Sequence, residues 1–372
     1  MVARPNPSSL PGVIEPISPD YLGASVAGLV PALLGAQPGH WLPSCLAGAE
    51  TVVLLVLDGV GWLAVEEHRP PVLCSMEGGP ITTVVPSTTA AALTAIATGT
   101  PPARHGIVGY RMRVGGQVLD VLRWRVPEGR APAPETVASV PAFLGRSVPV
   151  VTRGEFARTG FTEVHMNGAR FVGWRTTATL VEHVRRLVAG GERFVYAYYD
   201  GVDKVAHEYG LEDGFFPSEL AATDRLVGDL LQALPPDAAL VVTSDHGQVQ
   251  FREWVELGPL HKMVTAYAGD ARFRYLHARP GAARALAEAA EELCGDRAWV
   301  FPRDRLVDEH WLGPEPPSGP VLSRLGDVIL AARGSIAFVD PTHPQETRLV
   351  AGHGSLSAEE MLVPLVAARG RA

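Results

Sequence analysis

The stretch TVVLLVLDG, Thr51 to Gly59, decides the fold: seven apolar or β-branched residues run straight into an acidic residue and a glycine. A half-exposed strand alternates apolar and polar side chains, whereas an unbroken run is expected where both faces of a parallel strand are covered. Working outward, FVYAYYD (Phe194 to Asp200) and ALVVTSDHG (Ala239 to Gly247) repeat the pattern, apolar runs that break into polar residues at their C-terminal ends. Between them, SELAATDRLVGDLLQAL (Ser218 to Leu234) carries apolar residues at helical spacing behind a Ser suited to capping, completing a β-α-β passage. The expected class is α/β, with a central, mostly parallel sheet flanked by helices. Ligands in such sheets bind at the carboxyl ends of the strands.

At 372 residues the chain exceeds a typical single domain. Residues 51–264 and 325–372 are read as the core, with cap elements within about 108–175, and residues 1–50 as an N-terminal segment packing on it. Residues 265–324 are read as a small α/β cap insertion: strand (RFRYLHA), helix (GAARALAEAAEELC), strand (RAWVF), then a proline-rich loop. The chain returns through GDVILAARGSIAFV, expected to form two short strands around a turn.

Composition narrows the function. Hydrophobic residues make up 47% and charged residues 19%, within the globular range, and the formal charge of −8 gives no support for binding a nucleic-acid polymer. A phosphate-bearing substrate then needs a local source of positive charge. The apolar runs are too short to span a bilayer, and the proline-interrupted N-terminus lacks a secretory apolar stretch. Cys45, Cys74 and Cys294 have no disulfide or zinc-knuckle spacing. A soluble, cytoplasmic protein is expected.

Several Asp and His residues fall where strands end. Asp203 and His207 lie four apart, which puts them on one face of a helical turn, able to share an ion or to form a surface salt bridge. Asp245 and His246 follow a buried strand and converge only if the backbone leaves strand geometry, as Gly247 permits. Asp58 ends the opening run, and His353 lies between two glycines in GHGSL. Taken singly, each has an ordinary structural reading. Taken jointly, three carboxylates at one sheet edge repel unless cations sit among them, and an Asp/His set without Cys suits Zn²⁺, with Mn²⁺ as the alternative. In PSTTAAALTAIATG (Pro86 to Gly99), Ser87, Thr88 and Thr89 stand at a helix entry, where a hydroxyl caps the helix or faces an anion site.

These segments together resemble the alkaline phosphatase superfamily, and within it the nucleotide pyrophosphatase/phosphodiesterase branch. VLLVLDGVG is similar to the family's first metal strand, PSTTAAALTAIATG to its nucleophile helix and ARHGIVGY to the segment that follows. YYDGVDKVAHEYG, VVTSDHG and GHGSL resemble its later metal motifs, in the family's order. The resemblance implies Thr89 as the nucleophile, ten residues before Gly99. It implies one metal held by Asp203, His207 and His353, and a second by Asp58, Asp245 and His246 with Thr89 beside it. His105 is implied to be structural. Where an Asn contacting the phosphoryl group is expected three residues past the nucleophile, this chain has Ala92. The sulfatase C-x-P-x-R signature and the Asp-Ser-Ala nucleophile of typical alkaline phosphatases are absent.

The implied activity is hydrolysis of phosphodiester or pyrophosphate bonds in a small nucleotide-like substrate through a phosphothreonine intermediate, with two Zn²⁺ as cofactors. Phosphomonoester or phosphonate hydrolysis on the same site is the alternative, followed by a non-catalytic metal-binding protein. Candidate substrate contacts are Tyr110, Trp124 and Tyr198, whose rings can stack on a base, and Arg111, which can meet a phosphate tail. A monoester needs an extra cationic clamp, for which Lys204 is a candidate.

Overall fold

A computed structural model describes residues 15–37 and 39–372. The main sheet contains β1 (Thr51–Leu57), β2 (Glu77–Thr82), β3 (Pro149–Arg153), β4 (Arg170–Trp174), β5 (Phe194–Tyr199) and β6 (Ala238–Thr243). A second sheet holds β7 (Val264–Gly269), β8 (Phe273–Ala278), β9 (Ala298–Pro302) and β10 (Val328–Ala332). The chain then returns to the main sheet as β11 (Leu362–Arg369). The main order is β2-β11-β6-β1-β5-β3-β4. From β6 to β4 all pairs are parallel, and only β11 runs antiparallel, between β6 and β2. The mostly parallel α/β sheet expected from the sequence is therefore present.

The opening run explains its own position. Leu54 and Val56 point into a core formed with α1 (Val26–Leu33) and α2 (Thr89–Thr98), while Val53, Leu55 and Leu57 point into another. That second core is closed by α3 (Thr177–Ala189) and α5 (Phe215–Ala233), with α4 (Gly201–Tyr209) between β5 and α5 in the chain. Each fully buried Leu or Val contributes about 1.5–3 kcal/mol, so a polar residue within this run is not tolerated on either face. Helix α5 begins at Phe215 rather than behind Ser218, which lies inside it. Pro217 explains the shift: in a first turn its missing N–H has no helical partner to lose.

The antiparallel second sheet, ordered β7-β8-β10-β9, is covered by α6 (Ala283–Cys294) through Leu286, Ala290 and Cys294. It extends past residue 324, because Val328–Ala332 pairs with both β8 and β9. The two strands read around a turn in GDVILAARGSIAFV part company: Ile336–Phe338 pairs instead with Glu253–Val255. In the N-terminal segment, Ile17 bonds to Leu356 and α1 packs on α2; residues 1–14 lie outside the described part. Among the described residues, no helix is long and apolar enough to cross a membrane.

Candidate active site

Three adjacent parallel strands end at one edge, and each delivers an acid there. Asp58 follows β1, Asp245 follows β6, and Asp203 stands in the first turn of α4 just beyond β5. Gly59, at φ +78°, turns the chain away from Asp58 and donates its N–H to Asp245 Oδ1 at 3.2 Å. Gly247 serves by size rather than by a left-handed conformation: a Cβ there would lie 1.9 Å from the Glu359 carbonyl oxygen. His353 comes from far along the chain, brought in by a bridge between Ser87 and Gly354.

Each of the three histidines places Nδ1 against a backbone carbonyl. His207 meets Ala351 at 2.8 Å, His246 meets Gly247 at 3.1 Å and His353 meets Ser87 at 3.0 Å. A carbonyl only accepts, so Nδ1 carries the proton and Nε2 turns a lone pair toward the carboxylates. His207 Nε2 is 3.2 Å and His353 Nε2 3.7 Å from Asp203 Oδ1, while His246 Nε2 is 3.3 Å from Asp245 Oδ2 and 3.5 Å from Asp58 Oδ1. With Nε2 unprotonated these lone pairs converge on places a cation could occupy, and imidazoles fixed through their other nitrogen are the arrangement that metal sites use.

Asp203, His207 and His353 gather ligand atoms within 4.8 Å of one another, as do Asp58, Asp203 and His246, so Asp203 borders both groups and Asp245 flanks the second. Asp58 Oδ1 and Asp245 Oδ2 are buried without a hydrogen-bond partner, which fits divalent cations. Burial, with Asp245 and Asp203 adjacent, pushes the Asp58 carboxyl well above the usual range, and burial also raises Asp245. Burial would raise Asp203 too, but His207 and His353 bring it below its ordinary value. Burial disfavours charged His207, yet Asp203 outweighs it and lifts the imidazole to about 9. Bound cations would hold all three carboxylates ionised.

Thr89 is the first residue of α2, and its hydroxyl lies 3.0 Å from His246 Nε2. None of the three candidate caps caps the helix. Ser87 donates to the Ser355 carbonyl at 2.7 Å, Thr88 donates to Asp270 Oδ1 at 2.9 Å, and no side-chain cap bond is made. The first-turn amides are thus left for an anion. Ala92 is fully buried in the core and its N–H bonds to the Thr88 carbonyl. His105 is buried with Nδ1 accepting the Ile107 N–H at 3.1 Å.

Two cavities flank Thr89. One, of about 260 Å³, includes Asp58 and Tyr198 in its lining; the other, of about 290 Å³, includes His207 and His353. Thr89, Leu122 and Asp203 line both. Tyr198 lies in the first cavity and donates its hydroxyl to Asp58 Oδ2. Tyr110 lines the second, with its hydroxyl donated to Asp120 at 3.1 Å. Arg111 is buried in an ion pair with Asp340, and Trp124 donates to the Pro132 carbonyl at 2.8 Å; neither lines either of the two cavities. Lys204 is paired with Asp200 at 2.7 Å. Three contributors carried no sequence motif: Gln248, which donates to Asp203 Oδ1 at 2.6 Å, Asp270, and His165 in the wall of the first cavity.

Fold and site together define an α/β protein with a carboxylate and imidazole centre beside a helix-entry threonine. The model of the type I phosphodiesterase / nucleotide pyrophosphatase family matches residues 52–356, and the chain belongs to that family. Among solved structures it is similar to murine ectonucleotide pyrophosphatase/phosphodiesterase 5 (15% identity, 87% of this chain and 88% of that one, TM-score 0.67). An inactive threonine-to-alanine variant of that protein in complex with AMP aligns with TM-score 0.66, at 15% identity over 86% of this chain and 87% of the other. Phosphonoacetate hydrolase from Sinorhizobium meliloti 1021, in complex with phosphonoacetate, is 18% identical over 87% of this chain and 91% of its own, with TM-score 0.62. No curated protein matches the chain.

Proposed function

We propose that the chain is a two-metal phosphoryl-transfer hydrolase that cleaves phosphodiester or pyrophosphate bonds of small nucleotide-like substrates through a phosphothreonine at Thr89. One observation carries the reading: the Thr89 hydroxyl lies 3.0 Å from His246 Nε2, within a cluster of Asp and His whose lone pairs converge. Asp203, His207 and His353 would hold one ion, and Asp58, Asp245 and His246 the other. The donor set suits Zn²⁺, with Mn²⁺ as the alternative. Bound divalent ions supply charge stabilisation for the transferring phosphoryl group and make the threonine hydroxyl acidic.

The chain's own residues do the rest. The entry of α2 sets Thr89 Oγ1 beside the site, and the uncapped first-turn amides meet a non-bridging oxygen. Thr89 Oγ1 gives up its proton to solvent and forms a bond to phosphorus in line as the bond to the departing oxygen breaks on the His207 and His353 side, that oxygen taking up a proton as it leaves. Water then cleaves the phosphothreonine, its oxygen going to phosphorus and a proton to Thr89 Oγ1, which releases a monoester. Loss of activity in the murine relative on changing a threonine to alanine supports this role for Thr89.

A diester is favoured over a monoester because Thr89 has a cavity on each side, room for two substituents. Of the cavity-lining cations, Lys204 is tied to Asp200, and Arg123 is exposed and 3.7 Å from Asp120. A third non-bridging oxygen therefore lacks a free cation among the described residues. Cys45, Cys74 and Cys294 are free thiols, which supports a reducing cytoplasm as the setting. Release of p-nitrophenolate from bis(p-nitrophenyl) phosphate and p-nitrophenyl phosphate, with and without chelator, tests the reading. The diester should react faster, stop with chelator and recover with Zn²⁺ or Mn²⁺; no chelator-sensitive release from either overturns it.

A further inference from the structure

Arg111, expected to meet a phosphate tail, is instead one member of a buried network of two arginines and two carboxylates. Arg274, in β8, donates through Nη2 to Glu346 Oε2 at 2.6 Å, and its Nη1 lies 3.5 Å from Asp340 Oδ2, which Arg111 also pairs. Nη2 donates as well to the Phe338 carbonyl at 3.0 Å, and Asp340 Oδ1 accepts the N–H and hydroxyl of Thr342 at 2.8 and 2.7 Å. Stability alone is a poor reason for such a network. Arg274 Nε and Glu346 Oε1 are buried without a hydrogen-bond partner among the described residues, and apolar residues of similar volume often match a buried ion pair. What the network does fix is one loop. Asp340 holds its start and Glu346 its far side, where Glu346 and Leu349 line the cavity beside His207. The chain then runs straight to the Asp and His cluster. Val350 N–H bonds to the His207 carbonyl at 2.9 Å, the Ala351 carbonyl meets His207 Nδ1 at 2.8 Å, Gly352 pairs with Val249, and His353 follows.

We propose that Arg274 and Glu346 are positioning residues for one ion of the pair, the one proposed for Asp203, His207 and His353, and that they act through residues 340–351. This rests on the two-metal reading above. Selectivity follows from connectivity. The loop orients His207 through the Ala351 carbonyl and delivers His353, so two of that ion's three ligands depend on it. Asp58 and Asp245 are set by the ends of β1 and β6, and His246 by the Gly247 carbonyl. Among the described residues, the loop makes no hydrogen bond to any of these three. His246 does stack on His353, with ring centroids 3.5 Å apart, so a smaller effect reaches the second ion. A buried ion pair suits this task because its geometry specifies register, which interchangeable apolar contacts do less well.

The test separates position from stability. Arg274→Met/Glu346→Leu replaces the pair with apolar side chains and leaves Arg111 and Asp340 balanced, so its urea midpoint in chelator should match or exceed the native one. Competition for Zn²⁺ with a chromophoric chelator should show one ion held nearly as in the native chain and the other weakened 10–100-fold, the usual cost of losing an orienting partner. In double-mutant cycles on Zn²⁺ affinity the loss should be non-additive with His353→Ala and additive with Asp58→Asn. Diester hydrolysis should fall at limiting Zn²⁺ and recover as Zn²⁺ is raised, which a misfolded site would not do. Arg274→Lys keeps a charge but not the forked donor, should fall between the two, and carries the test if the double replacement does not fold. Equal weakening of both ions, or both held as tightly as in the native chain, overturns the positioning role. Selective loosening of one ion in a chain without chelator-sensitive hydrolysis keeps that role and overturns the hydrolase reading; a native chain that holds no Zn²⁺ overturns both.

Discussion

Two clusters of buried charge lie close in the chain's packing and are treated in opposite ways. Arg272 and Glu360 are both 0% exposed and bond to each other twice, at 2.7 and 2.9 Å. The arginine also donates to the Gly334 and Ile336 carbonyls, and the glutamate accepts from Ser355 N–H and the Ser357 hydroxyl. Neither keeps an unpartnered atom. Asp58 and Asp245 are as deeply buried, but each keeps a bare oxygen and, among the described residues, no Arg or Lys pairs with either. One cluster is closed by the protein and the other is built to be closed from outside. They are also joined, since Gly247 N–H bonds to the Glu360 carbonyl at 3.0 Å, so the closed cluster braces the loop that carries Asp245 and His246.

The largest expected effect breaks function while leaving both clusters standing. Thr89→Ala should lower diester hydrolysis by roughly 10⁴-fold or more, as loss of a nucleophile does elsewhere. Metal affinity, read by calorimetry, should change little because three other ligands remain on that side. Retained turnover would remove Thr89 from the mechanism.

Next in size is a contrast in stability. Glu360→Gln leaves Arg272 buried without its counter-charge and should cost about 3–5 kcal/mol in urea unfolding, with or without chelator. Asp58→Asn removes a carboxylate that its neighbours oppose, so in chelator it should be neutral or stabilising by about 1 kcal/mol, and the stabilisation conferred by Zn²⁺ should shrink. Equal losses in both variants in chelator would show that the second cluster is not open after all.

What the sequence revealed follows the same division. The strand runs before Asp58, Asp200 and Ser244 were legible because a covered parallel strand needs an unbroken apolar sequence, and the four-residue spacing of Asp203 and His207 sufficed for one helical face. The resemblance supplied His353 and singled out Thr89, which spacing alone could not, since a bridge from Ser87 to Gly354 crosses most of the chain. Arg111 was suggested by the affinity of a guanidinium for a phosphate tail and is consumed by Asp340, 229 residues away. Gln248, Asp270 and His165 were invisible for the same reason: tertiary packing alone gives their side chains partners or leaves them bare. The second sheet's reach to residue 332 was hidden because an interior antiparallel strand and a returning core strand share the same apolar composition.

A smaller effect sharpens how the open cluster is held. Tyr198 donates to Asp58 Oδ2 and fixes the carboxylate from behind. Removing that hydroxyl in Tyr198→Phe should weaken metal binding 10–100-fold, the usual cost of losing an orienting partner, with little change in unfolding of the chelated protein. Unchanged affinity would mean the backbone alone sets Asp58.

Asp270 is an intermediate case, a buried carboxylate with hydrogen-bond donors but no direct ion pair among the described residues, and it gives the smallest effect. Burial pushes its carboxyl up to about 6, while bonds from Thr88 and Tyr110 pull it back part of the way. Between its ordinary 3.8 and 6 the folded chain keeps a proton that the unfolded chain has released. Stability from this group is therefore fully present below about pH 4 and lost as pH rises through 6. Two units set a ceiling of about 3 kcal/mol, and water in the adjoining cavity reduces the expected effect to about 1 kcal/mol. Asn cannot titrate, so Asp270→Asn should lack this fall between pH 4 and 7 in otherwise matched urea series. If the two proteins lose stability in parallel, the hydrogen bonds from Thr88 and Tyr110 already compensate the carboxylate, and Asp270 belongs with the closed cluster.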